Sequence, residues 1–263
     1  QQNRSRIEEF TAVGWRFCNA LPLDIWGGQI LFGTFDILLM MKPPDFFQQF
    51  VPIVDLRPYV EELWVLETPV DFNALGASPR IFPKGATELV FPFRGDMRFQ
   101  HTDGSELKII TAGIAGPQLR PSYMHLTGCV GLLGVKFTFA GSRALLSLPL
   151  VELTNAKTEL KDFVGQSALD CAEQIAEAPD TPARLRLIQR YLMQWLDLNR
   201  GIEKPLVLAL QHLCKTPIER LSELDDPVPL SSRQLQRKFK AEVGYTPKTL
   251  SRFLRFRQAV ARI

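Results

Sequence analysis

The sequence is poor in the side chains that bind metals or form disulfides. Four of its 263 residues are cysteine and three are histidine. These residues are widely separated and include no C-x-x-C pair: Cys18, Cys129, Cys171, Cys214, His101, His125 and His212. Such spacing predicts neither a zinc site nor a disulfide framework, and it is typical of proteins in a reducing cytoplasm. We therefore expect a cytoplasmic protein with no metal, no other cofactor and no catalytic residues.

A long uninterrupted apolar segment is also lacking. Residues 20–41 are mostly apolar, but Asp24 and Asp36 would place two carboxylates in the hydrocarbon core of a bilayer. That placement is strongly unfavourable, so we expect no membrane anchor. Met41 precedes a plausible folded start, and the natural product is expected to begin near it. Residues 1–40 are then an N-terminal extension of uncertain structure.

Acidic residues are nearly absent from the last part of the chain. From Ser231 onward, nine lysines and arginines accompany a single acid, Glu242. Residues 201–263 carry a net charge of +6, whereas the first 200 residues carry −3. A basic segment attached to a slightly acidic body predicts a polyanion-binding module. The alternative on charge alone is a basic surface that merely contacts solvent.

Residues 58–139 have the pattern of a β-rich domain. Apolar segments at 60–67, 87–93, 107–113 and 130–139 are separated by turn-forming sequences, among them RGD and LTG. This spacing predicts a sandwich or a partly closed barrel, which could hold a small ligand in its mouth. The effector is unknown from the sequence, and the candidate cavity residues are Trp64, Lys84, Glu88 and Arg120.

Three glycines in this region form a G-x-x-G-x-x-G pattern, Gly128, Gly131 and Gly134. A phosphate-binding loop needs a helix start directly after such a pattern, and the apolar surroundings offer none. We therefore predict strand glycines that mark a bulge or a close packing contact.

After Phe139 the apolar period becomes helical. Residues 167–178 and 181–199 are predicted to form amphipathic helices. Thr181 is the expected N-cap of the second, with Pro182 at the first helical position. Its apolar stripe needs a partner, either the β domain or a second copy of the chain: Leu185, Leu187, Ile188, Tyr191, Leu192 and Trp195. A linker at 199–204 precedes four more predicted helices, at 205–214, 218–224, 232–243 and 247–263.

The helix predicted at 232–243 has two distinct faces. Ser231 can cap its start, and Leu235, Phe239 and Val243 form a narrow apolar face at a spacing of four residues. Arginine, glutamine and lysine side chains fall on a different face: Arg233, Gln236, Arg237 and Lys240. The helix can therefore pack on its neighbours while presenting these side chains outward.

The second face has the chemistry needed to read DNA in the major groove. Arginine offers paired donors to guanine, and glutamine pairs with adenine. We predict that Arg233, Gln236 and Arg237 read bases. Phosphate contacts, which add affinity without sequence information, are expected from Ser232, Lys238, Lys240 and Lys248.

The residues around this helix complete a helix-turn-helix pattern. Gly244 fits a left-handed C-cap, and Thr246 and Pro247 fit the start of the next helix. Residues 230–260 resemble the first helix-turn-helix of the AraC-type (AraC/XylS) transcription regulators, whose pattern is roughly L-S-x-R-x-L-x-R-x-F-x-x-x-x-G-x-[ST]-P. The resemblance assigns Arg233, Gln236 and Arg237 to base-reading positions.

The N-terminal part is similar to an uncharacterised cupin-like domain that precedes the DNA-binding module in many such bacterial regulators. This similarity is carried by residues 82–93 and 116–155, and the whole resemblance covers about 50–263. It implies an α+β protein: an N-terminal β-barrel or cupin-like domain followed by an all-α helix-turn-helix domain. The expected segments are the extension at 1–40, a sensor domain at 41–165, a helical connector at 166–202 and the DNA-binding domain at 203–263.

Two departures from the family pattern affect the expected function. The turn at 225–229 is longer than usual, and the second helix-turn-helix expected in the family does not follow, so we expect a truncated product. One motif contacts fewer phosphates and should bind DNA weakly. The expected partners are double-stranded DNA, a small-molecule effector and a second copy of the chain. Alternatives are a ligand-binding or dimerisation module that does not hold DNA alone and, less favoured, a cupin-type enzyme.

Overall fold

The computed structural model describes residues 47–71, 80–81, 85–101, 108–109, 111–197, 203–217, 220–224 and 228–260. The predicted extension at 1–40 and the candidate cavity residue Lys84 lie outside these ranges. No helix in the described ranges is both long enough and apolar enough to cross a membrane.

In the described residues, the N-terminal unit is an antiparallel sheet of eight strands. The strands are β1 (Phe47–Phe50), β2 (Val60–Asp71), β3 (Arg80–Ile81), β4 (Glu88–His101), β5 (Lys108–Ile109), β6 (Gly113–Ala115), β7 (Ser122–Phe137) and β8 (Lys157–Glu159). The main path across the sheet is β1-β2-β7-β4-β6-β8, with β3 paired to β7 and β5 to β4. A sheet followed by helices confirms the predicted α+β class.

The two longest strands run through sites where turns were predicted. RGD lies inside β4 and LTG lies inside β7, so both turn predictions are wrong. Gly95 (φ 71°) and Gly128 (φ 79°) adopt left-handed backbone there, and the β4–β7 register shifts between Pro92 and Asp96. Glycine at such an angle gives a bulge that bends a strand without ending it.

The other two glycines of the G-x-x-G-x-x-G pattern allow close packing of aromatic rings. A Cβ atom at Gly131 would lie 2.3 Å from the Phe93 ring, and one at Gly134 would lie 1.9 Å from the Trp64 ring. Neither distance is sterically possible. The prediction of strand glycines is therefore confirmed.

The sheet buries side chains on both faces. One face packs against α2 (Gln166–Glu177) and α3 (Thr181–Trp195), which follow the short helix α1 (Lys161–Val164). The other face holds a second apolar cluster, to which Trp64 belongs. Trp64 is therefore part of the core, and its ring lies 6.0 Å from the ring of Phe47.

Helix α3 carries the predicted stripe but not the predicted cap. Ile188, Tyr191 and Leu192 are buried in the core against the sheet, so the β domain is the partner of the stripe in this chain. Asp180, not Thr181, is the N-cap, and its carboxylate accepts a hydrogen bond from the Ala183 N–H at 2.7 Å. The extended backbone of Asp180 (φ −150°) orients this carboxylate toward the first turn.

The C-terminal unit contains α4 (Lys204–Lys215), α5 (Ser232–Val243) and α6 (Pro247–Val260) around one apolar core. Residues 218–219 of the helix predicted at 218–224 lie outside the described ranges, and Leu221–Leu224 form a 3-10 turn in place of an α-helix. Seven residues nucleate an α-helix poorly, and the prolines that follow, Pro227 and Pro229, oppose its extension. The described part of the first helix of the predicted helix-turn-helix is thus a single 3-10 turn.

Candidate nucleic-acid interface

Helix α5 is fixed at both ends by its own sequence. The Gln234 N–H donates to Ser231 Oγ (3.4 Å), and the Ser231 N–H donates to the Gln234 side-chain oxygen (3.2 Å). This reciprocal pair is a capping box. Gly244 ends the helix in left-handed backbone (φ 93°), and Thr246 Oγ1 accepts from the Thr249 N–H (3.2 Å) as α6 begins at Pro247. The predicted caps of α5 and the predicted start of α6 are confirmed.

One face of α5 anchors the helix in the C-terminal core. Leu235, Phe239 and Val243 are at most 2% exposed. They pack with buried residues of α4 and α6, among them Leu206, Leu213 and Leu250. Burying a leucine or phenylalanine side chain stabilises the fold by about 1.5–3 kcal/mol each. The predicted core face is confirmed, and it fixes the rotation of α5 about its own axis.

The opposite face presents the predicted base-reading side chains to solvent. Arg233, Gln236 and Arg237 are exposed, as is Lys240 one turn further on. Within the described part of the chain, these four side chains form no hydrogen bond, ion pair or ring contact. Their donors are therefore available to an external partner. The geometry brings them together on one face, while their individual roles stay predictions.

The predicted phosphate-contacting residues are placed less uniformly. Ser232 is half-buried in the first turn of α5, and Lys248 is exposed in the first turn of α6. Lys238 forms an ion pair with Glu203, the residue before α4. No short-range sequence signal joins these two residues, which are 35 positions apart. DNA phosphate would have to compete with Glu203 for Lys238.

Helix α6 adds cations that the sequence reasoning did not assign. Arg252 and Arg255 are exposed, and they follow Lys248 at intervals of four and three residues. This spacing places all three on one helix face. The helical spacing of these three residues is the sequence signal for this face.

The three candidate cavity residues that the structure describes differ in their surroundings. Trp64 is buried in the core, whereas Arg120 is exposed in a loop and donates its backbone N–H to Asn155 Oδ1 (3.2 Å). Glu88 lies at the start of β4, opposite Lys136 of β7. Lys136 forms ion pairs with Glu61 (2.9 Å) and Glu62 (3.5 Å). This end of the sheet is therefore lined by charged residues, three glutamates around one lysine.

The described residues contain no group of three side chains placed to bind a metal ion. His101 pairs with Ser122 and His125 pairs with Arg98, so the two histidines occupy different rows of the β4–β7 ladder. Among the described residues, Cys129, Cys171 and Cys214 form no disulfide. Burial raises the pKa of Cys171 to about 12, which keeps that thiol protonated and unreactive at neutral pH.

Comparisons with known proteins give distant likenesses. Residues 48–159 match a family model described as a domain of unknown function, DUF6597. No curated protein matches the chain.

Three solved structures cover most of the chain at low identity. An apo ToxT variant from Vibrio cholerae strain SCE256 has 9% identity and a TM-score of 0.43, over 76% of this chain and 81% of that one. ToxT from Vibrio cholerae O395 has 6% identity and a TM-score of 0.40, over 83% of each chain. The AraC-like transcriptional activator CuxR has 12% identity and a TM-score of 0.31, over 75% and 76%. Likenesses at this level are too distant to assign a function.

Proposed function

We propose that the chain is a sequence-specific DNA-binding transcription regulator that reads the major groove with α5. The observation that carries this proposal is the exposed polar face of α5. The opposite face of this helix is buried, and both of its ends are capped. Arg233, Gln236 and Arg237 lie on that face with their donors unused by the described residues. A helix of this kind fits the major groove, which is about 12 Å wide.

The chemistry of the exposed face suits base recognition and backbone anchoring. Arg233 and Arg237 are assigned to guanine O6 and N7, and Gln236 to adenine N6 and N7. Ser232, Lys240 and Lys248 are assigned to phosphates, together with Lys238 once it leaves Glu203. The nine cations after Ser231 supply the attraction that brings the chain to DNA. In this proposal, a ligand or partner that binds the sheet unit controls DNA binding. The protein acts in the cytoplasm.

A selection experiment tests the assignment of the base-reading residues. Duplexes that bind the chain are selected from a random double-stranded library, and their base preferences are compared for wild type and Arg237→Ala. The variant should lose preference at one position, by about 1–3 kcal/mol or roughly 5- to 150-fold. Arg186→Ala removes the same charge from an exposed site on α3 and should keep the wild-type preference. Identical preferences in all three proteins would refute the assignment.

A second function is a dimerisation or ligand-binding module that does not hold DNA alone. It is favoured by an apolar surface between β1 and β2, where Val51, Ile53 and Val54 are 68%, 44% and 60% exposed. This surface lies beside α3, since the Ile53 N–H donates to Gln189 Oε1 (2.8 Å). Sedimentation of wild type and Val54→Asp, with a parallel gel-shift assay, distinguishes the two functions. A dimer that Val54→Asp dissociates, together with no DNA shift, would favour the second.

A further inference from the structure

The C-terminal end of α5 is held by the N-terminal sheet unit through three polar contacts. Thr154 Oγ1 donates to the Gly244 carbonyl (2.6 Å), and Arg143 Nε donates to Glu242 Oε2 (3.0 Å). The Tyr245 hydroxyl donates to the Gly85 carbonyl (2.6 Å). These contacts join residues 90 to 160 positions apart. We call this contact region the cap junction.

The two units approach each other closely at two glycines of the cap junction, one in each unit. A Cβ atom at Gly244 would lie 2.8 Å from Pro117 and 3.1 Å from Thr154 Oγ1. A Cβ atom at Gly85 would lie 2.9 Å from the Tyr245 hydroxyl oxygen. Both glycines have positive φ angles, 93° and 71°, so a side chain would be strained at either site. Gly244 therefore serves as a helix cap and as the point of closest approach to the sheet unit.

The loops of the sheet unit that contact Gly244 are joined to each other by hydrogen bonds. The Gly116 N–H donates to the Ala156 carbonyl (3.1 Å), and the Asn155 N–H donates to the Pro117 carbonyl (3.0 Å). Asn155 Oδ1 accepts from the Leu119 N–H (2.7 Å), with Asn155 in left-handed backbone (φ 61°). These bonds tie the loops around Pro117 and Thr154 to each other, so the cap rests on an ordered surface.

The ion pair of the cap junction is anchored on its sheet side. Arg143 is 8% exposed, and its Nη1 donates to the carbonyls of Leu146 (2.9 Å) and Leu148. Glu242 is the only acidic residue after Ser231. Separating the two units would leave this guanidinium without its carboxylate, which is unfavourable. The single acid of this basic segment, Glu242, is therefore placed to pair with Arg143.

The cap junction leaves the proposed DNA-reading face open. Arg237 is seven residues before Gly244, a rise of about 10 Å along the helix. Arg233 and Gln236 lie still further from the junction, and all three are exposed while the contacts are made. Docking on the sheet unit therefore fixes the helix from one end without covering the side chains that would meet the bases.

From this geometry we infer that Arg143, Thr154 and Tyr245 are positioning residues for DNA recognition and that the docked arrangement is the DNA-binding state. The inference rests on the proposed function. The cap contacts fix the orientation of the C-terminal unit, and with it α5, relative to the sheet unit. A released C-terminal unit has additional orientations to lose on binding, and the loss reduces affinity. The sheet unit thus controls the reading helix through its cap.

The test uses the full chain and a duplex selected from a random library by the wild-type protein. The variant is Thr154→Val with Tyr245→Phe, which removes two hydrogen bonds of the cap junction and no charge. It also removes the longer bond from Thr154 Oγ1 to the Leu150 carbonyl (3.3 Å). We expect affinity for the selected duplex to fall about 5- to 10-fold, in proportion to the hydrogen bonds lost, while binding to unselected DNA changes less than about twofold. Faster hydrogen exchange at the Gly244 amide should accompany the loss. Because the number of cations is unchanged, the salt dependence should stay the same.

Two controls separate this inference from a general loss of stability and from failure of the proposed function. Tyr191→Phe removes a hydrogen bond from Gln174 (2.7 Å) inside the sheet unit and should leave DNA affinity unchanged. Arg237→Ala reports on the reading face. Unchanged or increased affinity in the Thr154/Tyr245 variant, with Arg237→Ala still defective, would overturn the positioning role alone. An Arg237→Ala protein with wild-type binding would overturn the proposed function.

Discussion

Helices α3 and α5 contain the same kind of cation but use it differently. In α3, Arg184 lies 4.0 Å over the Phe93 ring and donates to the carbonyls of Ile175 (3.2 Å) and Ala178 (2.9 Å). Arg190 donates to Gln174 Oε1 (2.9 Å). In α5, Arg233 and Arg237 have no such partner among the described residues. An arginine with internal partners supports the fold, whereas an exposed row of arginines without them is available for recognition.

The largest expected effect comes from making the same substitution in both helices. Arg184→Ala leaves two buried carbonyls without a donor and removes the contact with Phe93, so we expect a loss of about 3 kcal/mol of unfolding free energy. Arg237→Ala should change stability by less than about 0.5 kcal/mol, because an exposed side chain without partners is removed. Urea unfolding of the two variants measures both values. Equal losses would show that Arg237 also supports the fold.

A smaller effect is expected from the one α5 lysine that has an internal partner. Glu203→Gln removes the acid that pairs with Lys238, so Lys238 becomes available to phosphate. DNA affinity at low salt should rise about 2- to 5-fold, the range of an exposed ion pair. Fluorescence anisotropy with a selected duplex measures the change. Glu173→Gln removes the same charge from an exposed site on α2 and serves as the control. A rise of equal size in both variants would indicate a general charge effect.

A pH-dependent effect extends the comparison to a lysine of the sheet. Burial lowers the pKa of Lys157 in β8 to about 8, from its ordinary value near 10.5. The unfolded chain therefore binds more protons between these values, and wild-type stability should rise with pH across this window. Lys157→Met should be more stable than wild type below pH 8, and its advantage should shrink as the pH approaches 10.5. Thermal unfolding at several pH values measures this.

The matched control for Lys157→Met is Lys240→Met, which removes an exposed lysine from α5. It should show no pH-dependent advantage in this range. A constant advantage of Lys157→Met at every pH would mean that better packing, and not the loss of a desolvated charge, stabilises that variant.

Features that depend on neighbouring residues could be predicted from the sequence. The cap at Ser231, the stop at Gly244 and the buried stripe of α5 each depend on residues a few positions apart. The strand glycines were also recognised, because their apolar surroundings exclude a phosphate loop. Predictions from neighbouring residues were wrong where two local structures were both possible. Asp180, not the adjacent Thr181, caps α3. The glycines of RGD and LTG bend their strands and do not end them.

Features set by distant residues were not accessible. The pairing of Lys238 with Glu203 and the contacts of Tyr245 with Gly85 and of Glu242 with Arg143 require the folded chain. The residues of the exposed face of α5 were predicted to lie together, because helical periodicity places them on one side of the helix. The cap junction was not, since no pattern in residues 231–248 identifies the surface that Gly244 approaches.

The most direct test of the central claim combines a change in the protein with a change in the DNA. Each guanine of a selected duplex is replaced in turn by 7-deazaguanine, which lacks the N7 acceptor, and binding is measured for wild type, Arg237→Ala and Arg186→Ala. If Arg237 reads a guanine, one replacement should weaken wild type and Arg186→Ala but have no further effect on Arg237→Ala. Penalties that are the same in all three proteins at every guanine would contradict the claim that α5 reads the bases through Arg237.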